Sequence, residues 1–263
     1  MKLIKITVAT LLICLLIWGL LRVHGLSRTP SPFEHDFLKR DLQLVAMADS
    51  QEQALNSFQE ALQIRPDTVI GLHAFLSKDK KFFVAKKQEE IRPFESKTLL
   101  EQGKKPLRDV VAEIPTTRLM IWIHDNVNGI HEMFVKELEG LDLDKRLLVH
   151  SEFDAVLQSI KPLKPIWIYG TGTGEVTRLI SLNSIGLGPI VTMNGDVFIA
   201  SLRHGKRKLM SESLMSEIRR RGKPVLAVIQ DETDLVDAKL WEVDGYITSR
   251  PDLALPFLNT ILK

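Results

Sequence analysis

"TVIGLHAFLSKDKKFFVAKK", residues 68–87, reads as a buried strand (68–75), a tight turn at Lys78-Asp79-Lys80 and a second strand that runs straight into two lysines. Working outward, further short apolar runs recur at "LQLVAM" (42–47), "RLMIWI" (118–123), "RLLV" (146–149), "PIWIY" (165–169), "VFIASL" (197–202), "PVLAVI" (224–229) and "DGYITS" (244–249). Amphipathic stretches separate them, among them "QEQALNSFQEALQI" (51–64), "DAVLQSIKPL" (154–163), "SESLMSEIRRRGK" (211–223) and "DLALPFLNTILK" (252–263), with Gly222 placed as a helix stop. Strands alternating with helices predict β/α units around a parallel sheet. Eight such units in about 220 residues predict a closed (β/α)8 barrel, an open doubly wound sheet being the alternative. In a barrel the chemistry belongs at the C-terminal ends of the strands.

The chain has 263 residues, 44% of them hydrophobic and 26% charged, which is a globular composition and not a disordered one. Four of the 35 Lys and Arg residues, Lys2, Lys5, Arg22 and Arg28, precede residue 29 with no acid among them, leaving 31 basic against 33 acidic residues beyond. A nearly neutral body excludes nucleic acid as the main partner. The single cysteine, Cys14, lies in the apolar N-terminal run, so the body carries neither a disulfide nor a thiolate metal site.

That run, "ITVATLLICLLIWGLL" from Ile6 to Leu21, is about one membrane crossing, and Leu3 and Ile4 extend it where Lys5 snorkels. Residues 1–25 are read as an N-terminal transmembrane anchor, with residues 3–21 holding the chain in the membrane. A cleaved signal peptide competes, since Val23 and Gly25 are small, but Arg22 and His24 interrupt the cleavage region. A lipoprotein reading of "LLIC" has Ile13 where a small residue is preferred. The default orientation is N-terminus inside and body outside the cytoplasm, on the periplasmic side of a bacterial inner membrane. Residues 26–41, "LSRTPSPFEHDFLKRD", mix Pro, Ser and charge without apolar period and read as a tether, with the folded domain spanning 42–263.

The last units, "MSESLMSEIRRRGKPVLAVIQDETDLVDAKLWEVDGYITSRPDLAL", and the ending "GYITSRPD" (245–252) against a family strand of the form G-x-I-T-D-x-P-D resemble the glycerophosphodiester phosphodiesterases, over roughly residues 42–258. The resemblance implies a TIM barrel and a hydrolytic site with a divalent cation held by carboxylates and two histidines as acid and base. The family's His-Arg-Gly stands here as Met47, Ala48 and Asp49, and "EQALNSF" puts Glu52 at its glutamate. Its two strand carboxylates stand as Gly71 and His73, its acid histidine as Lys86, and its Glu-x-Lys as Trp122 and His124. A hard Mg²⁺ or Ca²⁺ ion takes oxygen ligands, several of them anionic. No such cofactor is therefore expected, and Lys86, with an ordinary pKa of about 10.4, is a poor substitute acid.

What remains is a set of candidate ligand-binding residues, Glu52, His73, Lys86, His124 and Arg203. With His204, Lys206 and Arg207 of "LRHGKRK", they would form a cationic pocket for a phosphorylated small molecule or lipid head group. The plainer alternative is solvated surface charge around one packed histidine. A zinc site on His73 and His124 lacks a third ligand. Trp122 reads as a space filler, "RRRGK" (219–223) as the basic end of a helix. "YGTGTGEV" (169–176) is either a phosphate cradle or a flexible loop after a strand, and it matches neither nucleotide-binding glycine pattern. The expectation is a membrane-anchored phosphodiesterase-like protein that has lost metal-dependent hydrolysis and binds a phosphorylated ligand or a protein partner. The alternatives are an active phosphodiester hydrolase with a rearranged site, and a non-catalytic scaffold that uses the outer surface of the barrel.

Overall fold

The computed structural model describes residues 2–27, 34–38, 43–47, 67–205, 207–251 and 254. Ala48, Asp49, Glu52, the helical stretch 51–64, Lys206 and nearly all of the expected helix 252–263 lie outside the described residues.

The order of elements is α1 (Lys2–Ser27), β1 (Gln43–Met47), β2 (Val69–Leu76), β3 (Phe82–Val84), α2 (Ser96–Glu101), α3 (Leu107–Glu113), β4 (Leu119–Ile123), α4 (Ile130–Glu137), β5 (Leu147–Ser151), α5 (Asp154–Ile160), β6 (Ile168–Tyr169), α6 (Thr173–Ser184), β7 (Phe198–Ser201), β8 (Arg203–His204), β9 (Arg207–Lys208), α7 (Glu212–Arg220), β10 (Val225–Val228), α8 (Glu232–Leu240) and β11 (Gly245–Thr248). Eight strands, one for each run predicted above, pair in parallel in the order β6-β5-β4-β2-β1-β11-β10-β7. A parallel bridge between Gly170 and Val197 joins the two outer strands, with Thr171 N donating to Val197 O at 3.0 Å. The sheet is therefore a closed TIM barrel, not an open doubly wound sheet.

Alternation sorts the strand residues into two layers. Val45, Met47, Val69, Met120, Leu148, Ile168, Val197, Ile199, Leu226 and Ile247 fill the barrel. The outward residues of β2, β4, β5 and β6 pack under α3, α4 and α5, and those of β7 and β10 under α6, α7 and α8. Helix ends follow local chemistry: Ser211 and Asp231 accept from Leu214 N and Asp234 N as N-caps. Gly222, at φ 62°, stops α7 as predicted.

β3 runs antiparallel along the edge of β2 that β1 leaves beyond Gly71. The predicted turn at 78–80 joins them, with Lys80 at φ 61°. Asp79 accepts from Ser96 and Ser77, which hold its carboxyl down at about 2.

The folded body reaches back into the stretch read as a tether. Phe37 is 1% exposed and packs inside the barrel floor, below Val45 and Val69, with the Arg118 guanidinium 5.3 Å over its ring. His35 Nε2 lies 3.0 Å from Ile166 O and 3.2 Å from Asp144 O. Phe37 and Leu38, set between charged residues, carry no sustained apolar period, so the floor plug is invisible to pattern. Phe37→Ala is expected to cost about 3–5 kcal/mol, the range for emptying a buried aromatic site, and truncation at Leu42 at least as much. Denaturant unfolding of the detergent-solubilised chain measures both.

Candidate functional site

The mouth is built from inward positions near the strand ends. Cα pairing aligns Met47 with Gly71 and Gly71 with Met120 in one layer, and His73 with Trp122 and Trp122 with His150 in the next. His124 and Glu152 follow β4 and β5, one step above Trp122 and His150. Gly71, His73, Trp122 and His124 thus come together at the C-terminal ends of their strands.

The lower layer is closed by sulfur. A Cβ built on Gly71 would collide with Met47 Sδ and lie 3.2 Å from Val45 Cγ1, so the methionine fills the room of a side chain at 71. In the layer above, His73 Nδ1 lies 2.7 Å from His124 Nε2, and His124 Nδ1 lies 3.0 Å from Glu152 Oε1. With both rings neutral, the carboxylate holds His124 as the Nδ1–H tautomer, and His124 Nε2 accepts the Nδ1–H of His73. The remaining lone pair of His73 is then on Nε2. Burial pushes the Glu152 carboxyl up, but the hydrogen bonds it accepts, that of His124 first, outweigh it and hold the group below its ordinary value.

Stacking fixes the chain of rings. Trp122 lies against His124 at 5.3 Å and 17°, and Phe75 covers His124 at 4.6 Å and 13°. Trp122 meets His150 edge-on at 4.6 Å. It is more than a space filler, because it separates the histidine chain from a cavity that it also lines. His150 Nδ1 is buried without a hydrogen-bond partner, the Trp122 indole N–H bears on the Glu152 carboxylate, and all three residues line that cavity.

The cavity measures about 950 Å³ and extends from Trp122, His150 and Glu152 across Thr171, Ser201 and Gln230 to the β8–β9 hairpin. Arg203, His204, Arg207 and Lys208 form its basic wall. Two of these cations are already engaged: Asp237, 4% exposed, takes Arg203 Nε at 2.6 Å and Lys208 Nζ at 3.0 Å. Burial alone would raise the Asp237 carboxyl, but these two partners bring it below its ordinary value.

The expected single pocket of His73, Lys86, His124 and Arg203 is a different arrangement. Lys86 is exposed at the end of β3, where Ala85 N donates to His73 O at 3.3 Å. Arg203 belongs to the cavity on the other side of Trp122, and neither His73, His124 nor Lys86 lines that cavity. His150 and Glu152 went unnoticed because the strand "RLLV" was ended at Val149. Continuing its alternation from Leu148 would have turned both inward.

Two other motifs turn out to be structural. In "YGTGTGEV", Gly172 and Gly174 lie so close to the Asp154 carboxylate that neither has room for a Cβ. Asp154 Oδ1 also accepts from Glu175 N at 3.2 Å. The N-terminal turn of α6 thus already carries an anion, and neither expectation holds: the segment is a loop packed on Asp154, not a phosphate cradle and not a flexible loop. In "RRRGK", Arg221 is 7% exposed and donates to Val191 O at 2.6 Å and Gly188 O at 2.9 Å, held by Glu217 at 2.7 Å.

The described residues do not fit a hard cation. Where the resemblance implies its carboxylates, the chain presents Gly71, His73 and Trp122, and the Nδ1 of His73 is bonded to His124. Among the described residues no three His, Cys, Asp or Glu side chains are grouped to hold a metal.

Among solved structures, the fold matches a glycerophosphodiester phosphodiesterase from Agrobacterium tumefaciens at 12% identity and TM-score 0.60, over 82% of this chain and 99% of that one. It matches an Oleispira antarctica phosphodiesterase, solved with the product sn-glycerol-3-phosphate, at 18% identity and TM-score 0.60, over 85% and 98%. A Thermotoga maritima glycerophosphodiester phosphodiesterase matches at 15% identity and TM-score 0.57, over 83% and 99%. No family model and no curated protein matches the sequence. The fold is that of the glycerophosphodiester phosphodiesterases, in agreement with the resemblance.

Two tests bear on this geometry. Gly71→Ala is expected to destabilise by about 1–3 kcal/mol through overpacking against Met47. Met47→Ala in the same chain should recover part of that loss, an interaction that a double-mutant cycle measures. His150 is pushed from 6.5 to about 4, by burial first, with Glu152 opposing and His124 and His73 adding to it. Its folded value lies below its unfolded one, so its contribution is complete above pH 6.5 and is lost as pH falls toward 4, about 3 kcal/mol in all. Denaturant unfolding at pH 7 and pH 4.5 should show this slope, and His150→Gln should flatten it.

Proposed function

We propose that the chain is a membrane-anchored, divergent member of the glycerophosphodiester phosphodiesterase family that has lost metal-dependent hydrolysis and binds a phosphorylated small molecule in the cavity at its mouth. The observation that carries this reading is the Met47 sulfur packed into the space above Gly71. A carboxylate there would have neither room nor a cation to serve, and a phosphodiester would lack the charge neutralisation that a metal supplies to its oxygens. The basic wall of the hairpin supports an anionic group, and the buried His150 Nδ1 supports a ligand that also carries a hydroxyl. The anchor reading is supported by α1, whose segment Ile6–Ser27 is long and apolar enough to cross a membrane.

The Glu152–His124–His73 chain favours a second reading, metal-independent proton transfer through that chain, and one experiment separates the two. Purified protein in EDTA is titrated with glycerophosphocholine or glycerophosphoethanolamine and followed by thermal melting and by product formation. On the binding reading, ligand at about 100 times its dissociation constant adds about 2.7 kcal/mol, raising the melting temperature by roughly 5–10 °C. Arg207→Ala is expected to weaken the effect, and no hydrolysis appears with or without Mg²⁺ or Ca²⁺. Hydrolysis in EDTA that is lost on His73→Ala would establish the second reading. Hydrolysis that requires the metal would overturn both.

A further inference from the structure

The junction between α1 and the barrel lies at the end opposite the mouth. α6 starts at the C-terminal end of β6 and descends, so the residues that follow it, "IGLGPI" (185–190), are on the N-terminal face of the barrel, the floor. The last turns of α1 are held on this loop. Trp18 Nε1 donates to Ile185 O at 2.9 Å, and the Arg22 guanidinium lies 5.4 Å over the Trp18 ring. Gly25 is buried, and a Cβ there would come within 2.6 Å of the Pro189 carbonyl carbon, so helix and loop meet backbone to backbone. The loop cannot easily swing away, because Arg221 bonds Gly188 O and Val191 O from α7.

Length makes this contact informative. From Leu3 to Trp18 the helix rises about 22 Å at ~1.5 Å per residue, whereas the hydrocarbon core is about 30 Å thick. A full crossing therefore needs the turns between Trp18 and Gly25, and those turns are the ones clasped to residues 185–190. The loop has no charged residue, and Ile185 is 57% exposed. Leu163 and Ile166, each 49% exposed, lie on the neighbouring floor segment, which Lys161 Nζ ties to Asn194 O at 2.7 Å.

We infer that residues 185–190 dip into the boundary of the lipid bilayer that α1 crosses, seating the floor of the barrel on the membrane and turning its mouth toward water. This rests on the anchor reading above. Its consequence is that the cavity takes its ligand from the aqueous phase, or from a facing surface, and not from the leaflet on which the barrel sits.

The test uses the full chain with Cys14→Ser, reconstituted into phosphatidylcholine/phosphatidylglycerol vesicles and carrying an environment-sensitive fluorophore on Ile185→Cys or, at the β2–β3 turn beside the mouth, on Lys78→Cys. The 185 label is expected to be quenched several-fold by nitroxide-bearing lipid chains and shielded from aqueous iodide, and the 78 label to behave in the opposite way. Melting curves matching the unlabelled chain confirm that both variants fold. A 185 label quenched by iodide as readily as the 78 label, on protein that floats with the vesicles, overturns the inference and leaves the anchor intact. Shielding of the 185 label from both quenchers overturns it in favour of a protein partner or a second copy on the floor. Lipid quenching of the 78 label overturns the orientation. Protein that does not float with vesicles shows that the anchor reading has failed, and the inference with it.

Discussion

The meeting of Gly170 with Val197 closes the barrel, and the positions at the mouth are set from it. β6 contributes only Ile168 and Tyr169 as regular strand, so few backbone bonds hold this seam. Thr171 reinforces it: its Oγ1 accepts from Ile199 N at 2.9 Å and donates to Ile199 O at 3.3 Å, crossing to the neighbouring strand. A side chain at 170 would fall 2.6 Å from Ile199 Cδ1 and 2.7 Å from His150 Nδ1, so the smallest residue is required where the wall turns inward. The same crowding keeps His150 buried and neutral.

From that closure follows an interior with little tolerance for charge. An uncompensated ion in such a space is costly, and natural solutions pair it or neutralise it. Here the carboxylate of Glu152 is paired with His124, His150 stays unprotonated, and Met47 takes up what would otherwise be a polar void. The catalytic layout of a hydrolase spends stability on clustered like charges that a metal then relieves. In this chain the described layers below the mouth are instead packed as an ordinary hydrophobic core.

Much of the architecture was legible in the sequence because strands covered on both faces leave continuous apolar runs, and all eight runs became barrel strands. Met47, Gly71, His73, Trp122 and His124 were placed at the strand ends by the resemblance, and the strand pairing brings them into neighbouring layers there. What stayed hidden depends on distant partners. Glu152 matters through His124, Phe37 through the floor it fills, Arg221 through carbonyls about 30 residues earlier, and Asp237 through a hairpin it bonds from another helix. A glycine-rich loop and an arginine run carry the same local signature whether they hold a ligand or hold the fold. The carboxylate of Asp154 and the carbonyls of the 188–191 loop decide that, and no window of sequence contains them.

Phe37 stops the barrel from below, and the side chains of the interior fill it upward as far as Trp122. Among the described residues the interior below the cavity is filled, so an occupant arrives and leaves on the mouth side, where the β8–β9 hairpin forms one wall. Where entry and exit pass the same wall, a change in the hairpin that speeds capture also speeds escape. Such a vestibule can alter how long an occupant stays without altering how strongly it is held. The motions of the hairpin would set the clock, while the rings and carboxylate at the base would set the equilibrium.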